Sequence, residues 1–182
     1  MRCLCDFFQS SIGKKLWVAS AGLLLCGFLI THLAGNLFLF AGEGAFNHYA
    51  TTLESMPFLP VAELILAALF LIHIFVSITV TYQNKQARPV AYEMKRSKKE
   101  GALSSTTMII SGTLLLIFLI IHIKTFKFGD AGDGLFKLVT KSFGNLYYSL
   151  FYVVAMGALG LHLSHGVQSA FQTFGVNQDR NR

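Results

Sequence analysis

The sequence predicts an all-α integral membrane protein, a bundle of four transmembrane helices. Of its 182 residues, 53% are hydrophobic and only 13% are charged, against roughly 25% charged in soluble domains. Four apolar runs are long enough to cross about 30 Å of hydrocarbon as helices, namely about residues 16–40, 58–82, 106–126 and 146–172. This composition excludes most soluble folds, and three Cys and sixteen Gly without a period exclude a disulfide scaffold and a collagen.

Each apolar run has the flanks of a membrane span. The first follows Lys14 and Lys15, and the second begins after Pro57 and ends before Gln83. The third follows a Ser–Thr stretch and stops at Lys124. The fourth is the least uniform, because it contains polar residues: Ser149, His162, Ser164, His165 and Gln168. No internal repeat stands out, and residues 1–182 are interpreted as one domain.

Positive charge orients the spans, because loops rich in Lys and Arg stay on the cytoplasmic side. The N-terminal flank, the second loop and the C-terminus carry such charge, whereas the first loop, residues 41–57, has none. The third loop carries four Lys, which two Asp partly offset. These counts predict that both termini are cytoplasmic. The basic second loop indicates contact with anionic lipid rather than with nucleic acid; its cations are Lys85, Arg88, Lys95, Arg96, Lys98 and Lys99.

Histidines are the main chemical signal of the apolar runs. Five of the six lie inside these runs, with at least one in each: His32, His73, His122, His162 and His165. Polar groups in hydrocarbon are costly and mark ion, proton or cofactor sites, and a neutral imidazole is a good axial ligand of haem iron. A single such histidine is also explained by a hydrogen bond between helices. One in every span favours ligands.

Depth in the membrane sorts these histidines into pairs. At 1.5 Å per residue, two of them lie about 24 Å from the cytoplasmic edge and two lie about 14–15 Å from it. Since both axial ligands of a haem must share one level, we expect an outer pair, His32 with His122, and an inner pair, His73 with His162. Two haems would then stack across the membrane. Small residues beside the ligands leave room for porphyrin or serve ordinary helix packing: Thr31, Gly35, Ser111, Ala155, Ala158, Gly166 and Ser169.

Several sequence motifs together point to one family. They are SSIGKK from Ser10, HLAGNLFLF from His32, FNHYA from Phe46, LIHI around His73, RPVAY from Arg88 and LHLSHGVQSAFQTFG from Leu161. The chain resembles, over nearly its whole length, the cytochrome b subunit of succinate dehydrogenase and fumarate reductase complexes, in the two-haem b558 form made of one polypeptide. The resemblance implies that the ligand of the fourth span is the His four residues before Gly166, with His165 beside the porphyrin edge. The other implied ligands are His32, His73 and His122.

The resemblance also implies a function. The chain would anchor a flavoprotein and an iron–sulfur subunit in the bacterial cytoplasmic membrane, and two haem b groups would carry electrons between the iron–sulfur subunit and a quinone, usually menaquinone. The chain has no flavin fingerprint and no cysteine cluster for iron and sulfur. Dicarboxylate chemistry would therefore belong to the partners. No residue decides between succinate oxidation and fumarate reduction.

Two features depart from the family. Its members usually have a fifth span after the motif that ends at Gly175, whereas we find four apolar runs. Some fumarate reductases place a Glu two residues before the fourth ligand, where this chain has Gly160. That proton path is therefore not expected here.

Candidates for the remaining contacts are fewer. A quinone site near the outer pair would draw on His48, Tyr49, Glu54 and Glu63, although Glu63 is the weakest of these to place and is better explained as an interfacial residue that caps the helix N-terminus. Propionates of the inner haem would be paired with Lys14, Lys15 and Arg88, or these cations would anchor the chain at the interface.

Two other functions stay open. A dihaem cytochrome b anchor of a hydrogenase or formate dehydrogenase would have the same paired histidines. A transporter or proton channel that uses histidines as a relay would need no haem, so haem content separates it from the others.

Overall fold

The structure, a computed structural model, describes residues 10–87 and 99–176, with side chains described in residues 10–87 and 107–176. In these ranges the chain forms six α-helices and no strand. They are α1 Ser11–Asn36, α2 Glu43–Glu54, α3 Leu59–Gln86, α4 Lys99–Phe126, α5 Leu135–Phe143 and α6 Leu146–Thr173. A short 3-10 helix, Leu37–Ala41, continues α1.

Among the described residues, four segments are long and apolar enough to cross a membrane: Ser11–Ala41, Leu59–Gln86, Thr107–Phe126 and Leu146–Thr173. Even the shortest, at 20 residues, covers about 30 Å as a helix. The predicted all-α membrane protein with four spans is therefore confirmed. The first helix begins earlier than its apolar run because the Ser10 hydroxyl accepts a hydrogen bond from the Gly13 N–H, 3.1 Å long, as an N-cap does.

Some predicted features lie outside the described residues. The RPVAY motif from Arg88 does so, and so does most of the basic second loop. The C-terminal cations Arg180 and Arg182 also lie there. The predicted orientation of the termini stays a prediction.

The chain divides into two compact units. Of the described residues, the first comprises 10–28, 61–87, 99–104 and 164–176, and the second comprises 29–60 and 105–163. Across the described residues the buried side chains are mostly small, and include Ala19, Ala21, Ser111, Ala155 and Ala170. Large apolar side chains face outward along the spans, as expected of helices surrounded by lipid.

In the second unit, α2 and α5 lie in segments that the sequence analysis treats as loops, and the two helices pack against each other. Phe46 of α2 is buried and faces Phe136 of α5, with ring centroids 6.4 Å apart. The Asn47 side-chain oxygen accepts the Phe136 N–H at 2.9 Å, so α2 caps the first turn of α5. Gly134, which precedes α5, has φ +97°, and a Cβ there would come within 2.6 Å of Asn47 Nδ2. Only glycine fits this turn.

Candidate functional site

His32 and His122 lie side by side in the second unit. Each stands four residues before the last residue of its helix, α1 for His32 and α4 for His122. Their ring centroids are 5.7 Å apart, with the ring planes at 82°. The sequence predicts one depth for these two residues, and in the structure their rings meet.

The donor set at this pair fits a haem. A neutral imidazole nitrogen is a good ligand of haem iron, and this pair offers two imidazoles whose ring centroids are 5.7 Å apart. Within the described residues no group of three or more His, Cys, Asp or Glu could hold a bare metal ion. A haem iron needs only axial ligands from the protein, because porphyrin supplies the rest.

The second ring nitrogen of His122 is hydrogen-bonded to a tyrosine. Its Nδ1 lies 3.0 Å from the Tyr152 hydroxyl oxygen, and the Tyr148 hydroxyl donates to the same oxygen at 3.0 Å. Phe118 and Phe126 flank the His122 ring, with centroids 5.5 and 5.4 Å away. A hydrogen bond at Nδ1 leaves Nε2 as the nitrogen that can bind a metal.

His162 of α6 packs against α4 in the same unit. Its Nδ1 lies 3.2 Å from the hydroxyl of Ser111, which is 5% exposed. A Cβ on Gly112 would come within 3.4 Å of the His162 Cε1. The sequence places Ser111 among the small residues beside the predicted ligands, and in the structure its hydroxyl contacts His162.

His73 of α3 packs against α1 in a similar way, within the first unit. A Cβ on Gly22 would come within 3.3 Å of the His73 Cε1. The ring also interacts with the backbone of Val18, one turn earlier in α1. His73 and His162, the predicted inner pair, therefore each lie against a glycine of the preceding span.

These contacts reveal a short internal repeat that the sequence analysis missed. The segment from Gly22 to His32 reads GLLLCGFLITH, and the segment from Gly112 to His122 reads GTLLLIFLIIH. Seven of the eleven positions are identical. In spans one and three, Gly and His are separated by the same ten residues, and this shared spacing could have identified both glycines from the sequence.

Two further candidates lie on α6 near His162. His165 is half-buried three residues after it. At Gly166, one residue further along α6, a Cβ would meet nothing within 4 Å.

Lys14 and Lys15 line a cavity of about 410 Å³ in the first unit, together with Ser10, Ser11, Val80, Gln83, Asn84 and Ala87. Lys14 Nζ donates to the side-chain oxygen of Gln83 at 3.1 Å. No carboxylate lines this cavity among the described residues. Its chemistry suits an anionic group.

The quinone candidates are spread over two helices. Tyr49 of α2 lies against Gly35, one turn after His32, so closely that a Cβ on Gly35 would come within 2.5 Å of its hydroxyl. Phe38 stacks on the Tyr49 ring at 4.9 Å. His48 is exposed on α2, and Glu63 is half-buried near the start of α3.

Comparison with known protein families identifies one match. A family model described as succinate dehydrogenase/fumarate reductase transmembrane subunit matches residues 84–182, which is more than half of the chain. No curated protein and no solved structure matches the chain. The matched part contains His122 and His162 together with their partners Tyr152 and Ser111. The chain belongs to the family of succinate dehydrogenase/fumarate reductase transmembrane subunits.

Proposed function

We propose that this chain is a dihaem anchor of the b558 type in a bacterial cytoplasmic membrane. It would carry electrons between the iron–sulfur subunit of a succinate dehydrogenase or fumarate reductase complex and a quinone. The observation that carries the proposal is the meeting of the His32 and His122 rings at 5.7 Å. Family membership supports a flavoprotein and an iron–sulfur subunit as partners.

Four histidines would hold the two haems. His32 and His122 would be the axial ligands of the outer haem. His73 and His162 would be those of the inner haem, a pairing that rests on their equal depth in the sequence. When bound, each haem supplies a one-electron couple between ferric and ferrous iron.

Polar and small residues would support these ligands. The hydroxyls of Tyr152 and Ser111 fix the orientation of two imidazoles through Nδ1. Gly22 and Gly112 allow the rings of the inner pair to approach the neighbouring helix. The space beside Gly166 would admit the edge of the porphyrin, with His165 close by.

The charged cavity and the second loop would serve the cytoplasmic side. Lys14 and Lys15, with the hydroxyls and amides around them, would pair with propionates of the inner haem. The basic second loop would contribute to docking of the iron–sulfur subunit.

A quinone site would lie near the outer haem. The position of Tyr49 against α1, one turn from His32, supports this residue most directly. His48 and Glu63 are further candidates for exchanging protons with a quinol. Menaquinone is the quinone that the resemblance implies.

The test is electron transfer through the assembled complex. The complex is purified from its membranes with this chain tagged, and its subunits are identified. Succinate or fumarate is then added, and the b-haem absorption is followed. The measurement is repeated after a menaquinone analogue has been added. We expect reduction of haem by succinate or oxidation by fumarate, and a response to the quinone. A preparation without haem would contradict the proposal, as would haem that responds to hydrogen or formate instead.

A further inference from the structure

Tyr152 of α6 is buried and contacts His122 of the outer pair. We propose that Tyr152 is a positioning residue of the outer haem site, whose hydroxyl oxygen accepts the Nδ1–H of His122 and so makes Nε2 the metal-binding nitrogen. This inference rests on the proposed function and adds a residue that sets the redox behaviour of one haem. It is independent of the inner pair.

The Tyr152 hydroxyl oxygen lies within hydrogen-bond distance of two groups, His122 Nδ1 and the Tyr148 hydroxyl. The distances from the Tyr152 oxygen to His122 Nδ1 and to the Tyr148 oxygen are both 3.0 Å, within the normal hydrogen-bond range. A phenol oxygen has two lone pairs, so it can accept both bonds at once. When Nε2 binds a metal, the proton of the imidazole lies on Nδ1, which then donates to the Tyr152 oxygen.

Aromatic packing fixes the position of the acceptor. Tyr152 is 9% exposed. Its ring centroid lies 4.8 Å from those of Phe143 and Tyr148 and 4.9 Å from that of Phe118. Buried in this aromatic cluster, its hydroxyl meets little competition from water, which strengthens its hydrogen bonds.

The consequence for the haem follows from ligand chemistry. A hydrogen bond donated from Nδ1–H raises the basicity of Nε2. A more basic ligand stabilises ferric iron more than ferrous iron, which lowers the reduction potential. Loss of the Tyr152 hydroxyl should therefore raise the potential of the outer haem and relax the orientation of the His122 ring.

Ser111 offers a matched comparison at the inner site. Its hydroxyl contacts Nδ1 of His162 at 3.2 Å. Tyr147, the neighbour of Tyr148, has the same side chain and is 82% exposed. The chain thus supplies one variant for each haem and one for neither.

The test uses the complete complex with Tyr152→Phe, which keeps the ring and removes the oxygen. The midpoint potentials of both haems are measured by redox titration. The signals of the ferric haems are recorded by low-temperature electron paramagnetic resonance. The outer haem is the one that His122→Ala removes. We expect its potential to rise and its signal to shift, while the inner haem is unchanged; selective loss of the outer haem also supports the inference.

The control variants separate positioning from general damage. Ser111→Ala should shift only the inner haem, and Tyr147→Phe should shift neither. If Tyr152→Phe does not assemble, Tyr148→Phe decides: a smaller shift of the outer haem supports the inference, and no shift overturns it. Two haems with unchanged potentials and signals in Tyr152→Phe overturn the inference and leave the proposed function standing, whereas a wild-type complex without haem overturns both.

Discussion

Gly112 of α4 lies against the ring of His162 on α6, so closely that a Cβ on the glycine would come within 3.4 Å of the His162 Cε1. Gly22 of α1 has the same relationship to His73 of α3, at 3.3 Å. Each glycine also stands ten residues before the histidine of its own helix, His32 on α1 and His122 on α4. One arrangement of glycine and histidine therefore occurs twice in the chain.

Alanine at these glycines should disturb one haem. In Gly22→Ala and Gly112→Ala, the added methyl group must displace an imidazole by a few tenths of an ångström, at a cost of about 1–3 kcal/mol. We expect both variants to lower the occupancy of the inner haem or shift its magnetic-resonance signal. The measurement is haem content with low-temperature spectra of the purified complex.

Gly27→Ala is the matched control, because a Cβ on Gly27 would meet nothing within 4 Å. It should leave both haems unchanged. An effect of Gly22→Ala on the outer haem alone would contradict the assignment of His73 to the inner haem.

Removal of single ligands should separate the two haems. Because each haem needs both of its axial imidazoles, His32→Ala and His122→Ala should lose the outer haem and keep the inner one. His73→Ala and His162→Ala should do the reverse. Extracted haem per polypeptide and the spectrum of the remaining haem report the result. Loss of the same haem from His32→Ala and His73→Ala is incompatible with the pairing.

His165 should be dispensable for haem retention. It lies three residues after His162 on α6, and one ligand per span is sufficient for two haems. We expect His165→Ala to bind both, in contrast to His162→Ala on the same helix. A single haem in His165→Ala would refute this assignment.

The contact between α2 and α5 should stabilise the outer side of the second unit. Asn47→Ala removes the oxygen that accepts the Phe136 N–H, and loss of such a cap costs about 1 kcal/mol. We expect the outer haem to be released at a lower temperature, as followed by its absorption during heating. Asn47→Asp keeps an acceptor and should lose less. Equal release temperatures in wild type and Asn47→Ala would show that the cap does not stabilise the site.

Gly35→Ala should act on the quinone site through Tyr49. The added methyl group would collide with the Tyr49 ring and hydroxyl, so α2 must shift near His32. We expect a higher KM for quinone with both haems retained, whereas Gly44→Ala, where a Cβ meets nothing within 4 Å, should behave as wild type. An unchanged KM in Gly35→Ala would remove Tyr49 from the quinone candidates.

The spans and the outer histidines were predictable because the bilayer and the helix set simple lengths. About 20 apolar residues cross the hydrocarbon, and a rise of 1.5 Å per residue gives equal depths to His32 and His122. The contact of Tyr152 with His122 could not be predicted in this way. Its bond to His122 depends on the rotation of α6 about its own axis, and a helix that is apolar on all sides gives little indication of that rotation.

The packing of α2 on α5 was also missed. The apolar residues of α5, such as Leu135 and Val139, follow helical spacing, but in a segment of nine residues next to a membrane span this pattern is easily interpreted as a loop. The capping bond between Asn47 and Phe136 joins residues 89 positions apart. Such a contact arises only once the chain has folded.

The most direct test of the account is a haem count on the purified complex, combined with its dithionite-reduced minus oxidised spectrum. The account predicts two b-type haems per copy of this chain, with two distinguishable potentials. A folded complex that contains no haem would contradict it and would leave the intramembrane histidines to a proton or ion path.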